Sequence, residues 1–359
     1  MYIIPHIYEY DTTLGTGTDK RIGSLPDALK CKVTEERNGE FYLEMTYPAT
    51  GLNADLLKVG RIINAGSRPN GATDPFRIAT LVKKLDGTID ITAYHISYDL
   101  TNVIVMPFTA NSITAILTAF GTYGIPSNDF IFTNMGMSTG GKPFTVTKPT
   151  PLRSLLFGSE GSLVDKYGGE FRFQGWRVWY HRNRGQQKNV TIAYGKNLTS
   201  FKATDENGKY DSVIPFAVYN DTTYYITDSV TYPTAPVVES SKSYGYPRTI
   251  AVDFSDNFTD TAPTDAALKA LADSYISANS NSPTENIASG YVDLRKLLNG
   301  GDTVELCDTI HLSMPMYDID DIQLKVIRTV YDALKDEYES LQVGDKKITL
   351  SDTLAELMR

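Results

Sequence analysis

Apolar and polar residues alternate along much of the chain, and turn-forming dipeptides interrupt the alternation at short intervals. In "RNGEFYLEMTYP", Phe41, Leu43, Met45 and Tyr47 alternate with Glu40, Tyr42, Glu44 and Thr46, the two-residue period of a strand with one face inward. Asn38-Gly39, just ahead of it, favours the left-handed backbone of a tight hairpin turn. A second hairpin is predicted over "PFRIATLVKKLDGTIDITAYHI", with Asp86-Gly87 at its turn and Ile89, Ile91 and Ala93 facing inward. Short strands joined in this way predict a first small β-barrel or sandwich over residues 1–105.

The period changes over residues 106–195. Asn111 can cap a short helix that gathers Ile113, Ile116, Leu117 and Phe120 on one side and ends at Gly121. Thr150 can cap a second helix that begins at Pro151 and turns Leu152, Leu155 and Leu156 inward. The glycine-rich stretch "GSEGSLVDKYGGEFRFQGWRVWYHRNRG" follows and holds both tryptophans of the chain. A two-residue turn at Gln174-Gly175 pairs Phe173 with Trp176 and Phe171 with Val178, which gives a hairpin with an aromatic inner side. The same register sets Arg172 opposite Arg177, so it requires a nearby carboxylate or a longer turn. Helices and hairpin together predict an α/β insert domain.

Residues 196–359 return to strands and predict a second β-barrel region. "PTDAALKALADSYISAN" interrupts them as a helix over 265–279, with Leu268, Leu271, Tyr275 and Ile276 on one face. "ENIASGYVDL", "DTVELCDTIHLSM" and "IDDIQLKVIRTVYDAL" read as strands. The charged run that begins within the last of these reads as helical at first and then as an extended tail.

Composition narrows the function classes. No run approaches the roughly 18 apolar residues of a membrane-spanning helix, and the start "MYIIPHIYEY" lacks the basic and apolar regions of a secretory signal. The net charge of −9 is spread along the chain, so no basic footprint for specific nucleic-acid binding is expected. Cys31 and Cys307 form no CxxC motif and read as two buried thiols. Twenty-three tyrosines against fourteen phenylalanines suit half-wet strands or extensive interfaces.

Motifs for catalysis or cofactors are incomplete. "GMSTGGK", Gly136 to Lys142, satisfies G-x-x-x-x-G-K, but Pro143 stands where a magnesium-binding Ser or Thr is needed and a strand-like "FTVT" follows. "GSEGS" is not a nucleophile elbow. His6, His95, His181 and His311 form no HExxH pattern and have no second histidine three or four residues away. The acidic groups Asp253, Asp256 and Asp260, and Asp318, Asp320 and Asp321, read as solvated loops; "DFSDNFTD" lacks the glycine and terminal glutamate of a calcium loop. No catalytic, cofactor-binding or metal-binding residue is therefore assigned, and no cofactor is expected.

Three stretches in order carry a resemblance that spans nearly the whole chain. They are "DPFRIATLVKKLDGTIDITAYHISYDL", "GGEFRFQGWRVWYHRNRGQQKNVTIAYGKNLTSF", and the segment from "VELCDTIHL" through "LKVIRTVYDALKDEYESLQVGDKKITLSDTL". Together they resemble the N-terminal hub region of siphophage and prophage tail proteins of Gram-positive hosts, the prophage endopeptidase tail, tail-associated lysin or minor structural protein family. Where that family usually has Gly before the Asp of its "D-T" strand, this chain has Cys307. The resemblance implies a β-rich α+β fold, with two small β-barrels of the phage baseplate-hub type and α/β inserts. It implies a homotrimeric structural hub that closes the tail tube, contacts the distal tail protein and the tail tube or tape measure proteins, and carries host-facing modules that meet the cell-wall receptor indirectly. The protein would reside at the virion tail tip, and in the host cytoplasm during assembly, and would not be an enzyme. A tail-associated peptidoglycan endopeptidase and a cell-wall glycan receptor-binding protein are the alternatives, the latter acting through its tyrosines and tryptophans.

Overall fold

The structure is a computed structural model that describes residues 3–10, 20–193, 198–206, 212–226, 238–239, 248–258, 261–279, 284–291, 303–317 and 319–344. It is β-rich, with short helices set between strands. Contacts divide it into two compact units, one within residues 1–202 and 287–346, the other centred on residues 203–286.

The first unit is built on an antiparallel sheet. Its N-terminal strands are β1 (His6–Tyr8), β2 (Arg21–Ser24), β3 (Lys30–Glu36), β4 (Phe41–Pro48), β5 (Ile62–Arg68), β6 (Ala72–Lys83) and β7 (Thr88–His95). They lie in the order β2-β1-β5-β6-β7-β4-β3, and the sheet continues from β3 into Ile319–Asp332 and then Glu337–Gly344. The predicted hairpins stand where the alternation puts them. Phe41, Leu43, Met45 and Tyr47 are buried in β4, as are Ile89, Ile91 and Ala93 in β7. Asn38 takes φ 50° and Gly87 φ 79°, the left-handed conformations their turns need.

The outer edge of β3 is closed by a strand distant in sequence. Ile319–Asp332 covers it, with Arg328 opposite Glu36 and Asp332 opposite Lys32. The charged run expected to be helical is instead the hairpin of Ile319–Asp332 with Glu337–Gly344, turning at Asp336 with φ 57°. Its β-branched pairs Val326-Ile327 and Thr329-Val330 suit a pleated strand better than a helix.

In the insert, α1 spans Ile113–Tyr123 and buries Ile113, Ile116, Leu117 and Phe120. Ser112, not Asn111, is its cap, accepting the Ala115 N–H at 3.3 Å, and the helix passes Gly121 to stop at Gly124. The single turn α2 (Leu152–Leu156) buries Leu152, Leu155 and Leu156 but begins one residue later than expected. Pro151 is extended at ψ 131°, and the Thr150 hydroxyl donates to the Lys148 carbonyl instead of capping. After α3 (Leu163–Tyr167), the hairpin of Glu170–Gln174 and Arg177–His181 joins the parallel strand Ile131–Met135.

The second unit centres on Ser212–Tyr219. That strand pairs antiparallel with Thr222–Tyr225 and Val238–Glu239 and parallel with Thr249–Asp253. The predicted helix is present as α4 (Asp265–Asn279), with Leu268, Ala272 and Ile276 buried along one side. Val213 packs with Ala272 and Ile276, and Ala217 with Leu268, so the core of this unit lies between one sheet face and one helix.

Candidate functional site

A buried seam of ionisable side chains runs through the first unit, where the aromatic hairpin meets the sheet. The hairpin turn is one residue later than the sequence suggests: Gln174 pairs with Arg177, Phe173 with Val178, and Phe171 with Tyr180. Phe171, Phe173, Val178 and Tyr180 therefore form the buried face, with Phe171 and Tyr180 stacked at 4.4 Å. This shift removes the Arg172–Arg177 clash. Arg172 lies opposite Trp179 instead, its guanidinium 5.9 Å from the ring centre. Neither tryptophan belongs to the inner face.

Asp74 in β6 is fully buried and carries the first half of the seam. It accepts the Ser67 hydroxyl at 2.6 Å, Arg68 Nη2 at 2.6 Å and the Gly175 N–H of the hairpin turn at 2.9 Å. Arg68 Nη2 also donates to the Phe173 carbonyl at 3.0 Å. Burial would raise the Asp74 carboxyl, but the Arg68 charge and the hydrogen bonds outweigh it and hold it well below the usual carboxylate range. His95 stacks on Phe41 with ring centres 4.3 Å apart, and its Nδ1 accepts the Ser97 N–H at 3.1 Å. That bond assigns the proton of the neutral ring to Nε2, which faces Asp74 Oδ1 at 3.5 Å.

Glu35 and Arg184 carry the second half, paired at 2.8 Å with both side chains buried. Burial would raise the Glu35 carboxyl; Arg184 and then Arg68 bring it below its ordinary value. Arg184 also donates Nη1 to the Phe171 carbonyl at 3.2 Å and its backbone N–H to Glu170 at 2.7 Å. Lys325, from the strand Ile319–Asp332, donates to Glu170 at 2.7 Å and to Asn183 at 2.8 Å. Asn38, predicted as a turn residue, also clamps the hairpin: its amide donates to the Gly169 carbonyl at 2.9 Å and accepts the Phe171 N–H at 2.8 Å.

Where the chain leaves the hairpin, Asp308 accepts the Gln186 N–H and the Glu305 N–H, each at 2.8 Å. Cys307 beside it has φ 74°, so a cysteine holds the left-handed conformation that favours glycine. Gly185 lies against this turn so closely that an added Cβ would stand 1.8 Å from the Cys307 carbonyl oxygen. The departure from the tail-family pattern thus sits at a position whose backbone suits glycine.

This arrangement fixes one element to another. Asp74, His95 and Ser97 have the residue types of a catalytic triad, yet the His95 nitrogen facing Ser97 accepts its backbone N–H, and the Ser97 hydroxyl accepts from Arg153 at 3.3 Å. All three are buried, which leaves no room for substrate at this constellation. The other histidines are apart from it: His6 lies in β1, His181 ends the hairpin, and His311 places Nδ1 2.8 Å from the exposed Asp321. Asp253 is engaged in its own turn, accepting the Ser255 N–H at 2.8 Å, and Asp256 lies in a 3-10 turn. Asp260 and Asp318 lie outside the described residues. Among the described residues no group of three or more His, Cys, Asp or Glu is placed to hold a metal ion. Gly136 to Lys142 is a loop with Gly136, Gly140 and Gly141 at positive φ, and it runs into the strand Phe144–Val146 rather than a helix. Cys31 and Cys307 are buried free thiols, as expected. Burial pushes both up to about 12.

The seam has a signal in the sequence pattern. Cys31, Val33 and Glu35 share one strand face, as do Asp74, Phe76 and Ile78, and all six are buried. A carboxylate at an inward position of an alternating strand implies a buried cation opposite.

The chain has the fold of prophage tail proteins. It is similar to the prophage tail protein gp18 of Listeria monocytogenes EGD-e, with a TM-score of 0.62 and 12% identity over 99% of this chain and 98% of that one. The 43 kDa tail protein of prophage MuSo2 from Shewanella oneidensis matches with a TM-score of 0.63 and 12% identity over 96% and 98% of the two chains. A tail protein from Neisseria meningitidis MC58 matches with a TM-score of 0.57 and 10% identity over 97% and 98%. No protein-family model matches the sequence. No curated protein matches it.

Proposed function

We propose that this protein is a structural component of a phage or prophage tail, acting as a homotrimeric hub that closes the tail tube and carries host-facing modules. The observation that carries the reading is the near full-length similarity to prophage tail proteins from Listeria monocytogenes and Shewanella oneidensis and to a tail protein from Neisseria meningitidis. The seam supports it, because its buried charges fix the insert hairpin to the sheet and are shut away from substrate. In this reading the first unit supplies one tube-type β region and the second unit belongs to the other. The partners are the distal tail protein and the tail tube or tape measure proteins, and the site of action is the virion tail tip after assembly in the host cytoplasm. The net charge of −9 suits a lumen that does not retain passing DNA.

Light scattering over a wide concentration range, with and without the distal tail protein, tests the hub. A particle of three 39.7 kDa chains is expected; a monomer under every condition overturns it. Incubation with Gram-positive cell walls tests the endopeptidase alternative. No release of free amino groups is expected.

A further inference from the structure

A cleft of about 550 Å³ opens in the first unit between the 3-10 segment Ile96–Asn102, the loop that follows α1 and the turn of the aromatic hairpin. Its volume falls within the ordinary range of ligand pockets. Three aromatic side chains, Tyr10, Phe130 and Trp176, line it beside Arg77, Asp99 and Asn102. Trp176 and Phe130 are braced from behind by the buried Tyr8, Ile62 and Ile96. The shifted turn of the hairpin is what puts Trp176 here, outside the inner face.

The polar groups are held ready. Arg77 grips Asp99 through Nε at 2.9 Å and Nη2 at 2.6 Å, while its Nη1 donates to the carbonyls of Tyr10 and Gly60 at 2.9 and 2.8 Å. The guanidinium is therefore spent on the protein, and Asp99 is fixed in place with carboxylate lone pairs still open to the cleft. Asn102 is exposed and its amide makes no hydrogen bond to the protein; the indole N–H of Trp176 likewise has no protein partner.

We infer that this cleft binds a neutral pyranose oligosaccharide. The C–H face of a sugar ring is apolar and packs on an aromatic plane, while vicinal hydroxyls both donate and accept, matching a fixed carboxylate and a free amide. A phosphorylated ligand fits poorly: two carboxylates, Asp99 and Asp129, line the cleft, and its one guanidinium is already occupied. The inference goes beyond the hub reading and does not depend on it.

Trp179→Phe leaves Trp176 as the sole tryptophan of the chain, so its fluorescence reports the cleft directly. The probes are chitotriose, cellotriose and maltotriose, with glucose 6-phosphate as the anionic comparison. A saturable spectral change is expected with at least one neutral trisaccharide, with a dissociation constant of about 1 mM for so open a site. Asn102→Ala, at an exposed side chain that folding does not use, is expected to weaken binding about tenfold. Asp99→Asn is expected to weaken it further. No saturable change with any trisaccharide up to its solubility limit overturns the inference, as does undiminished binding in Asn102→Ala. Preferential binding of glucose 6-phosphate overturns the assignment of a neutral ligand.

Discussion

Asp74→Asn removes one negative charge from the seam and changes almost nothing in volume. In the parent, the carboxylate accepts from Ser67, Arg68 and Gly175, and Arg68 is only 4% exposed. The substitution leaves that guanidinium buried with its nearest counter-ion gone. Removing one partner of a buried pair costs about 3 to 5 kcal/mol, a large share of the stability of an ordinary domain. For a unit of this size the loss corresponds to a fall in Tm of roughly 10 °C. Both tryptophans lie in the hairpin of the first unit, so their fluorescence during thermal or urea unfolding follows the unit that holds the seam. Arg68→Met in the Asp74→Asn background removes the orphaned cation and is expected to restore part of the loss. The acid side gives a second reading. The Asp74 carboxyl titrates below its unfolded value, so its contribution is complete above that value and fades as pH falls below about 4 toward the folded pKa. Asp74→Asn should therefore lose less stability than the parent between neutral pH and pH 3. A cost under about 1 kcal/mol, or an acid profile equal to the parent's, would refute the seam as an electrostatic staple.

Three further outcomes are expected from the same region. Gly185→Ala drives a Cβ into the Cys307 carbonyl and is expected to cost more than about 3 kcal/mol in urea unfolding, since backbone must move; a Tm equal to the parent's would contradict the close approach. Cys307→Gly relieves the left-handed conformation of a non-glycine residue, worth about 1 to 2 kcal/mol, while losing a buried thiol, so its stability should stay near the parent's; Cys307→Val, β-branched at φ 74°, should be clearly less stable. Neither thiol should react with Ellman's reagent at pH 8 in the native protein, because burial pushes both Cys31 and Cys307 up to about 12, and both should react at once in denaturant.

The parts of the fold that were legible depend on neighbours close in sequence. Alternation in Phe41–Pro48 and Thr88–His95 reports burial directly, because successive side chains of a strand point to opposite faces. The faces of α1 and α4 were legible for the same reason at helical period, although the cap of α1 moved by one residue, since Asn111 and Ser112 both have a capping side chain. The hairpin register depends on more than local sequence. Gln174-Gly175 and Gly175-Trp176 are both acceptable turns locally, and the tertiary frame selects the second by hydrogen-bonding the Gly175 N–H to Asp74 and moving Arg172 away from Arg177.

Local period and composition are enough to establish that the chain is β-rich, where its first hairpins turn, which residues line its helices, and that its thiols are buried. Long-range pairing is what brings Ile319–Asp332 beside β3, Glu35 to Arg184, Asp74 to the hairpin and Trp176 to a cleft with Asp99. Those partners are separated by tens to hundreds of residues, and strand pairing is specified by edges, buried charges and packing that exist only once the distant segments have come together.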